Sequence, residues 1–183
     1  MRDKNAVSIA VGASLINGDY PDGLFEFYGH VGYKRFLSPY TNINFGFNKF
    51  SLANDNDAFK GGFFSFDLNL EFYLLPYDKF SPFVFVGAGL NASDDFESTS
   101  TKAQGGVGFE VLPKGSVGFK LFAEFNQVFT DELDGNTSGK ANDGYLRVAF
   151  GVNFYFGETN KRKKTKKDVP TIINSNPIKD NNN

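Results

Sequence analysis

The sequence predicts an all-β protein: an eight-stranded antiparallel up-and-down transmembrane β-barrel with a disordered C-terminal tail. Three observations predict it. Large apolar residues alternate with small or polar ones in about eight runs, the period of a strand with one greasy and one polar face. The runs are roughly 10 to 13 residues long, and a tilted strand crosses a bilayer in about 9 to 11. The connections between them read as long, short, long, short in turn, the asymmetry of outer-membrane barrels, whose long loops lie outside and short turns on the periplasmic side. The residue choice agrees, since 23 Phe, 8 Tyr and 20 Gly with no Trp or Cys favour strands and tight turns over helices.

The first strand, about Asn5 to Leu15, sets Val7, Ile9, Val11 and Leu15 against Ser8, Ala10, Gly12 and Ser14. A run of turn formers, Asn17 to Gly23, closes it. The second, about Leu24 to Phe36, alternates Phe25, Phe27, Val31 and Tyr33 with Glu26, Tyr28, His30 and Lys34, and Ser38-Pro39 turns it. The third, about Thr41 to Phe50, sets Ile43, Phe45 and Phe47 against Asn42, Asn44, Gly46 and Asn48. After the polar loop Asn54 to Asp57, the fourth strand, about Gly62 to Leu75, has the cleanest alternation: Phe64, Phe66, Leu68, Leu70, Phe72 and Leu74 against Ser65, Asp67, Asn69 and Glu71.

The turn Pro76 to Lys79 leads to a fifth strand, about Pro82 to Asn91, whose phase stays open because Phe83-Val84-Phe85-Val86 is apolar on both faces. An acidic loop, Asp94 to Glu97, ends it. The sixth, about Lys102 to Val111, sets Val107, Phe109 and Val111 against Gln104, Gly106, Gly108 and Glu110; Pro113-Lys114-Gly115 turns it. The seventh, about Val117 to Phe129, sets Phe119, Leu121 and Phe125 against Lys120, Glu124 and Asn126. A long acidic loop from Asp131 leads to the eighth, about Tyr145 to Phe156, with Val148, Phe150, Val152, Phe154 and Phe156 against Arg147, Ala149, Gly151 and Asn153.

The organisation that follows is an N-terminal stub at 1–4, a barrel at 5–156, and a basic, asparagine-rich periplasmic tail at 157–183 with too little apolar content to order itself. An even strand count puts both ends on the short-turn side. Met1 to Asn5 contains no cleavable apolar segment, so the expectation is that a signal has been removed or that this is the C-terminal piece of a longer chain. No apolar run approaches the 18 residues of a transmembrane helix.

Nineteen Lys and Arg oppose 21 Asp and Glu, but Lys161, Arg162, Lys163, Lys164, Lys166 and Lys167 crowd into the tail. The body is acidic, which argues against nucleic-acid binding by the barrel. With no cysteine there is no disulfide, thiolate metal site or thiol nucleophile.

If the apolar phase faces lipid, the other phase places Glu26, His30, Lys34, Asp67, Glu71, Glu110, Lys120, Glu124 and Arg147 inside the barrel. Eight strands enclose a lumen only wide enough to be filled by its own side chains, so buried charges of both signs must pair. A structural polar network is the reading, with no cofactor and no metal. The competing chemistries are weaker. His30 with Glu26 and Ser65 supplies the residue types of a base, an orienting group and a nucleophile, hence a barrel-embedded lipid hydrolase, but no motif surrounds them. The acidic loops (Asp55 and Asp57; Asp94 and Asp95; Asp131, Glu132 and Asp134) supply oxygen ligands without the spacing of a calcium loop. Periodicity alone also permits a soluble barrel with the apolar phase turned inward around a lipid or other apolar ligand.

Several segments resemble a known family: Asn17-Gly18-Asp19-Tyr20-Pro21-Asp22, Gly32-Tyr33-Lys34-Arg35-Phe36-Leu37, Ser65-Phe66-Asp67-Leu68-Asn69-Leu70, Lys79-Phe80-Ser81-Pro82-Phe83-Val84-Phe85, Gly89-Leu90-Asn91-Ala92-Ser93, Asp131-Glu132-Leu133-Asp134-Gly135 and Asn153-Phe154-Tyr155-Phe156-Gly157. Together they are similar to the C-terminal barrel that follows the secretion domain in long versions of the curli secretion protein CsgG. The resemblance covers about Asn5 to Gly157; more loosely the pattern is similar to OmpA-type eight-stranded barrels. It implies an outer-membrane location beside a curli-type assembly. The family's secretion domain, with its lipidated cysteine, is absent, so export activity is carried onto no residue here. The expected function is a non-enzymatic, monomeric outer-membrane anchor or accessory module, with membrane lipid, curli-type secretion components or cell-envelope proteins as partners.

Overall fold

The computed structural model describes residues 4–17, 24–53, 60–94, 96, 98–114, 116–129 and 144–157. Eight strands lie along them: β1 Asn5–Asn17, β2 Glu26–Phe36, β3 Thr41–Ala53, β4 Lys60–Tyr73, β5 Phe80–Ser93, β6 Thr99–Lys114, β7 Val117–Val128 and β8 Gly144–Phe156. Each pairs antiparallel with its neighbours in chain order, and β1 with β8, giving a closed barrel. The expected up-and-down topology is the observed one. The closing seam runs from Asn5 opposite Phe156 to Asn17 opposite Gly144. Closure leaves no unpaired strand edge, the condition for a sheet to sit in hydrocarbon.

The strands begin and end within a few residues of the expected bounds, with one consequence for the loops. Continuation of the β5–β6 ladder to Ala92 opposite Thr99 shrinks the acidic connection to 94–98, shorter than the 74–79 connection on the opposite rim. The expected strict alternation of long and short loops therefore fails in the middle of the chain. Pro113 and Lys114 belong to β6 rather than to a turn, and the register shifts between Val111 and Lys114. A proline cannot donate to the ladder, and a bulge accommodates it near the strand's end.

Alternation sorts the wall into two faces. Outward stand Val7, Ile9, Val11, Val31, Phe45, Phe47, Phe66, Leu68, Val86, Leu90, Val107, Phe150 and Phe154, all exposed. Among the described outward strand positions only Arg35 and Lys49 carry charge, and they lie toward opposite rims. From Phe64 to Leu74 the outward row spans about 25 Å once a strand tilt near 40° is allowed for, the height of a lipid-facing belt.

The open phase of β5 is settled by its neighbours. Phe83 and Phe85 point inward and are buried, while Val84 and Val86 point out. Room for the two rings comes from Gly106 and Gly108, opposite them on β6, where any Cβ would collide with Phe85 or Phe83 and with backbone carbonyls of β7. Inward aromatics and aliphatics then fill the end of the lumen nearer the 18–25 connection, where Ile16, Tyr28, Phe50, Leu52, Phe63, Val128 and Tyr145 cluster. Phe50 stacks on Tyr145 with centroids 5.0 Å apart and on Phe63 at 5.6 Å. Near the termini a second cluster of Ala6, Leu112 and Tyr155 closes the other end with Phe36.

Candidate functional site

Between these apolar ends lies a polar core. His30, Lys34, Asp67, Glu71, Glu110, Lys120, Glu124 and Arg147 are all buried in the lumen, placed there because every one of them falls on the inward phase of its strand. Glu26 shares that phase but lies at the rim, half-buried. One inward charge was not among the expected set: Lys102, buried at the start of β6. Its signal was present in the sequence, since it shares the phase of Gln104 and Glu110.

The charges gather into two groups. In the first, the Arg147 guanidinium donates from Nε to Glu124, from Nη2 to Asp67 at 2.9 Å and to Asn126 at 3.1 Å, and from Nη1 to Ser65 at 3.4 Å. Lys102 pairs with Asp67 at 2.9 Å and donates to Asn126 Oδ1 at 2.7 Å. Asn48 donates to Asp67 at 2.8 Å and to Ser65 at 3.0 Å, and its carbonyl accepts from Tyr28 at 2.9 Å. The Arg147 guanidinium also sits among the rings of Tyr28, Phe50 and Tyr145, 4.7, 5.3 and 5.4 Å from their centroids, within cation–π range.

The second group is built on Glu71, which accepts from Lys34 Nζ at 2.7 Å and from Asn44 Nδ2 at 2.8 Å. Lys34 also lies 5.6 Å from the Phe83 ring centroid. Nearer the termini, Glu110 accepts from Tyr155 and Asn153. Among the described residues the buried lumen thus holds four basic side chains, Lys34, Lys102, Lys120 and Arg147, against four carboxylates, Asp67, Glu71, Glu110 and Glu124. Lys34 pairs with Glu71, Lys102 with Asp67, and Arg147 with Asp67 and Glu124, which offsets the cost of taking those charges out of water.

The base, orienter and nucleophile imagined from His30, Glu26 and Ser65 are not assembled. His30 Nδ1 is bonded to Asn48 Oδ1 at 2.7 Å, and Ser65 receives Asn48 and Arg147. The inverted, ligand-filled soluble barrel is contradicted as well, because the lumen is lined by charge and packed, with a cavity of only about 20 Å³. A much larger groove, about 890 Å³, lies on the outer wall, between the row Val31, Phe47, Phe66 and the row Phe45, Leu68, Ala88. Of the loop acids considered as calcium ligands, Asp94 forms an ion pair with Lys49; Asp55, Asp57, Asp95, Asp131, Glu132 and Asp134 lie outside the described residues, as does the basic tail.

Charge inside, hydrocarbon outside and a closed ring of eight strands define the small outer-membrane barrel fold. Solved structures share it. Neisserial surface protein A (NspA) aligns over 85% of this chain and 99% of its own, at 10% identity and a TM-score of 0.67. Ail, the attachment invasion locus protein of Yersinia pestis, aligns over 85% of this chain and 100% of its own, at 13% identity and 0.57. The N-terminal β-barrel domain of Pseudomonas aeruginosa OprF aligns over the same shares at 15% identity and 0.53. At such identities the likeness is one of fold alone. No family model matches the chain, and no curated protein does.

Proposed function

We propose that the protein is a non-enzymatic outer-membrane β-barrel, an anchor or accessory module of a curli-type secretion or surface assembly. The observation that carries the membrane part is the inversion of the ordinary soluble arrangement. The described outward strand positions carry an apolar belt with charge only toward its rims, and the charged residues are sealed within. A contiguous apolar exterior on this scale would drive aggregation in water, whereas in a bilayer it is the ordinary lipid-facing surface. The lumen supports a structural role, because Arg147, Lys102, Lys34, Asp67, Glu71 and Glu124 are spent on one another. The curli-type context is supported by the sequence resemblance alone, and in this reading the tail at 157–183 lies in the periplasm.

The test is refolding of the full chain with and without detergent micelles. A β-rich species that forms only with detergent, and whose gel mobility shifts on boiling, is the expected result; a monodisperse β-rich species in plain buffer would end the membrane reading. The assembly role is tested separately by crosslinking in cells that express a CsgG-type secretion pore. No crosslink to the pore under conditions that capture known envelope complexes removes the curli-type role and leaves the barrel.

A further inference from the structure

Three buried polar groups near the middle of the lumen lack the partner each requires. Asn48 turns its amide nitrogen to Asp67 and Ser65, so its carbonyl faces His30 Nδ1 and the network assigns the ring hydrogen to Nδ1. His30 Nε2 is thereby left as an acceptor, and it has no donor. Asn44 gives its amide nitrogen to Glu71, and its Oδ1 is likewise a buried acceptor with no donor. The two acceptors flank the same glycine: a Cβ added to Gly32 would press on both, 2.7 Å from His30 Nε2 and 3.0 Å from Asn44 Oδ1. Lys120 has the complementary deficit. It is buried with its ammonium 4.7 Å from the Phe122 ring centroid and hydrogen-bonds to no described residue.

His30, Asn44 and Lys120 all line the lumen cavity of about 20 Å³. A single water needs about 10–15 Å³ measured in this way, so there is space for one molecule. We infer that this cavity is a binding site for one water, which accepts a hydrogen bond from Lys120 Nζ and donates to His30 Nε2 and Asn44 Oδ1. The chemistry of the walls selects it. An anion would face two lone-pair acceptors and the carboxylates of Asp67, Glu71 and Glu124, which line the same cavity; a cation would face Lys120. A neutral molecule with both donors and acceptors answers all three groups, and water is the one small enough.

The site also joins what are otherwise separate networks. His30 belongs through Asn48 to the Arg147–Asp67 group, and Asn44 belongs through Glu71 to the Lys34 group. The water makes the polar core continuous along the lumen, with Lys120 at the joint.

A crystal structure of the full chain from detergent, at a resolution that places ordered waters, tests this beside a Gly32→Ala variant and a bromide soak. The expected map has one peak within hydrogen-bond distance of all three groups, no anomalous signal there, and loss of the peak in Gly32→Ala. An empty cavity, a bromide peak, or Lys120 bound directly to a carboxylate overturns the proposal. Should Gly32→Ala fail to fold, the map of the unaltered protein with its bromide soak decides alone.

Discussion

Replacing Arg147 by Met removes the most connected side chain of the lumen and strands one particular carboxylate. Without Arg147, Asp67 keeps Lys102 at 2.9 Å and Asn48 at 2.8 Å. Among the described residues, Glu124 keeps only the Asn126 amide at 3.2 Å. Removing one partner of a buried ion pair costs about 3–5 kcal/mol, because the other charge is left uncompensated. The rings of Tyr28, Phe50 and Tyr145 lose the guanidinium they surround, which argues for the upper half of that range. The expected effect is a fall of roughly 10³- to 5 × 10³-fold in the folding equilibrium constant. The protein has no tryptophan, so the folded fraction is best read as the heat-modifiable gel band across a urea titration in detergent. Adding Glu124→Gln to the Met variant removes the stranded charge and should restore about 2 kcal/mol, whereas the same change in the unaltered protein should destabilise it. An Arg147→Met protein within about 0.5 kcal/mol of the original, or a Glu124→Gln change equally harmful in both backgrounds, would refute the view that these two groups balance each other.

Leu68→Arg puts a charge at mid-height of the outer belt and should cost about 2–4 kcal/mol, seen as a lower urea midpoint in lipid vesicles; an unchanged midpoint would mean that this face does not meet hydrocarbon. Gly108→Ala places a Cβ against the Leu121 carbonyl and the Phe83 ring and should cost about 1–3 kcal/mol, read in the same titration. In planar bilayers the unaltered barrel should show no steady ion conductance, since the lumen is filled by its own side chains; a reproducible open level would contradict the packed interior. His30→Ala should leave the heat-modifiable band in place and change no lipid-hydrolysis rate, as judged by mass spectrometry of incubated outer-membrane lipid.

What could be read from the sequence depended on whether a strand declares its own phase. In β4 each inward position from Ser65 to Glu71 is polar and each outward one from Phe64 to Phe72 is Phe or Leu, so a single strand suffices to tell lumen from belt. In β5 the pattern Phe83-Val84-Phe85-Val86 contains no such contrast. Its phase is decided by the glycines of β6 across the ladder, and a cross-strand register is invisible until the pairing is known. Lys102 is hard to read for a related reason: the apolar side sets the phase of β6, and Lys102 stands near the strand's start, before its first large outward residue, Val107. The inward Phe50, Phe63 and Tyr145 likewise break the rule that the inner phase is polar, because the lumen end beyond the Arg147 network is filled with rings rather than charges. The pairing partners inside the core come from adjacent strands, as with Asn48 and His30 or Asn44 and Glu71, or from across the lumen, as with Arg147 of β8 and Asp67 of β4, and no local pattern encodes them.

The seam between β1 and β8 has a consequence for how the chain reaches this state. Every other ladder joins neighbours in sequence, whereas this one brings together Asn5 and Phe156, the most distant pairing in the barrel. Closure entropy grows with the length of the loop being closed, and contacts of such high sequence separation are the slow ones. Seven hairpin ladders can thus form as a growing ribbon, but the ring shuts last. Until it does, β1 and β8 are two bare edges able to template pairing with another copy. The interval between ribbon and ring is where the chain is most exposed to misassembly, and a surface that brings the two edges together shortens it without adding a single contact to the finished barrel.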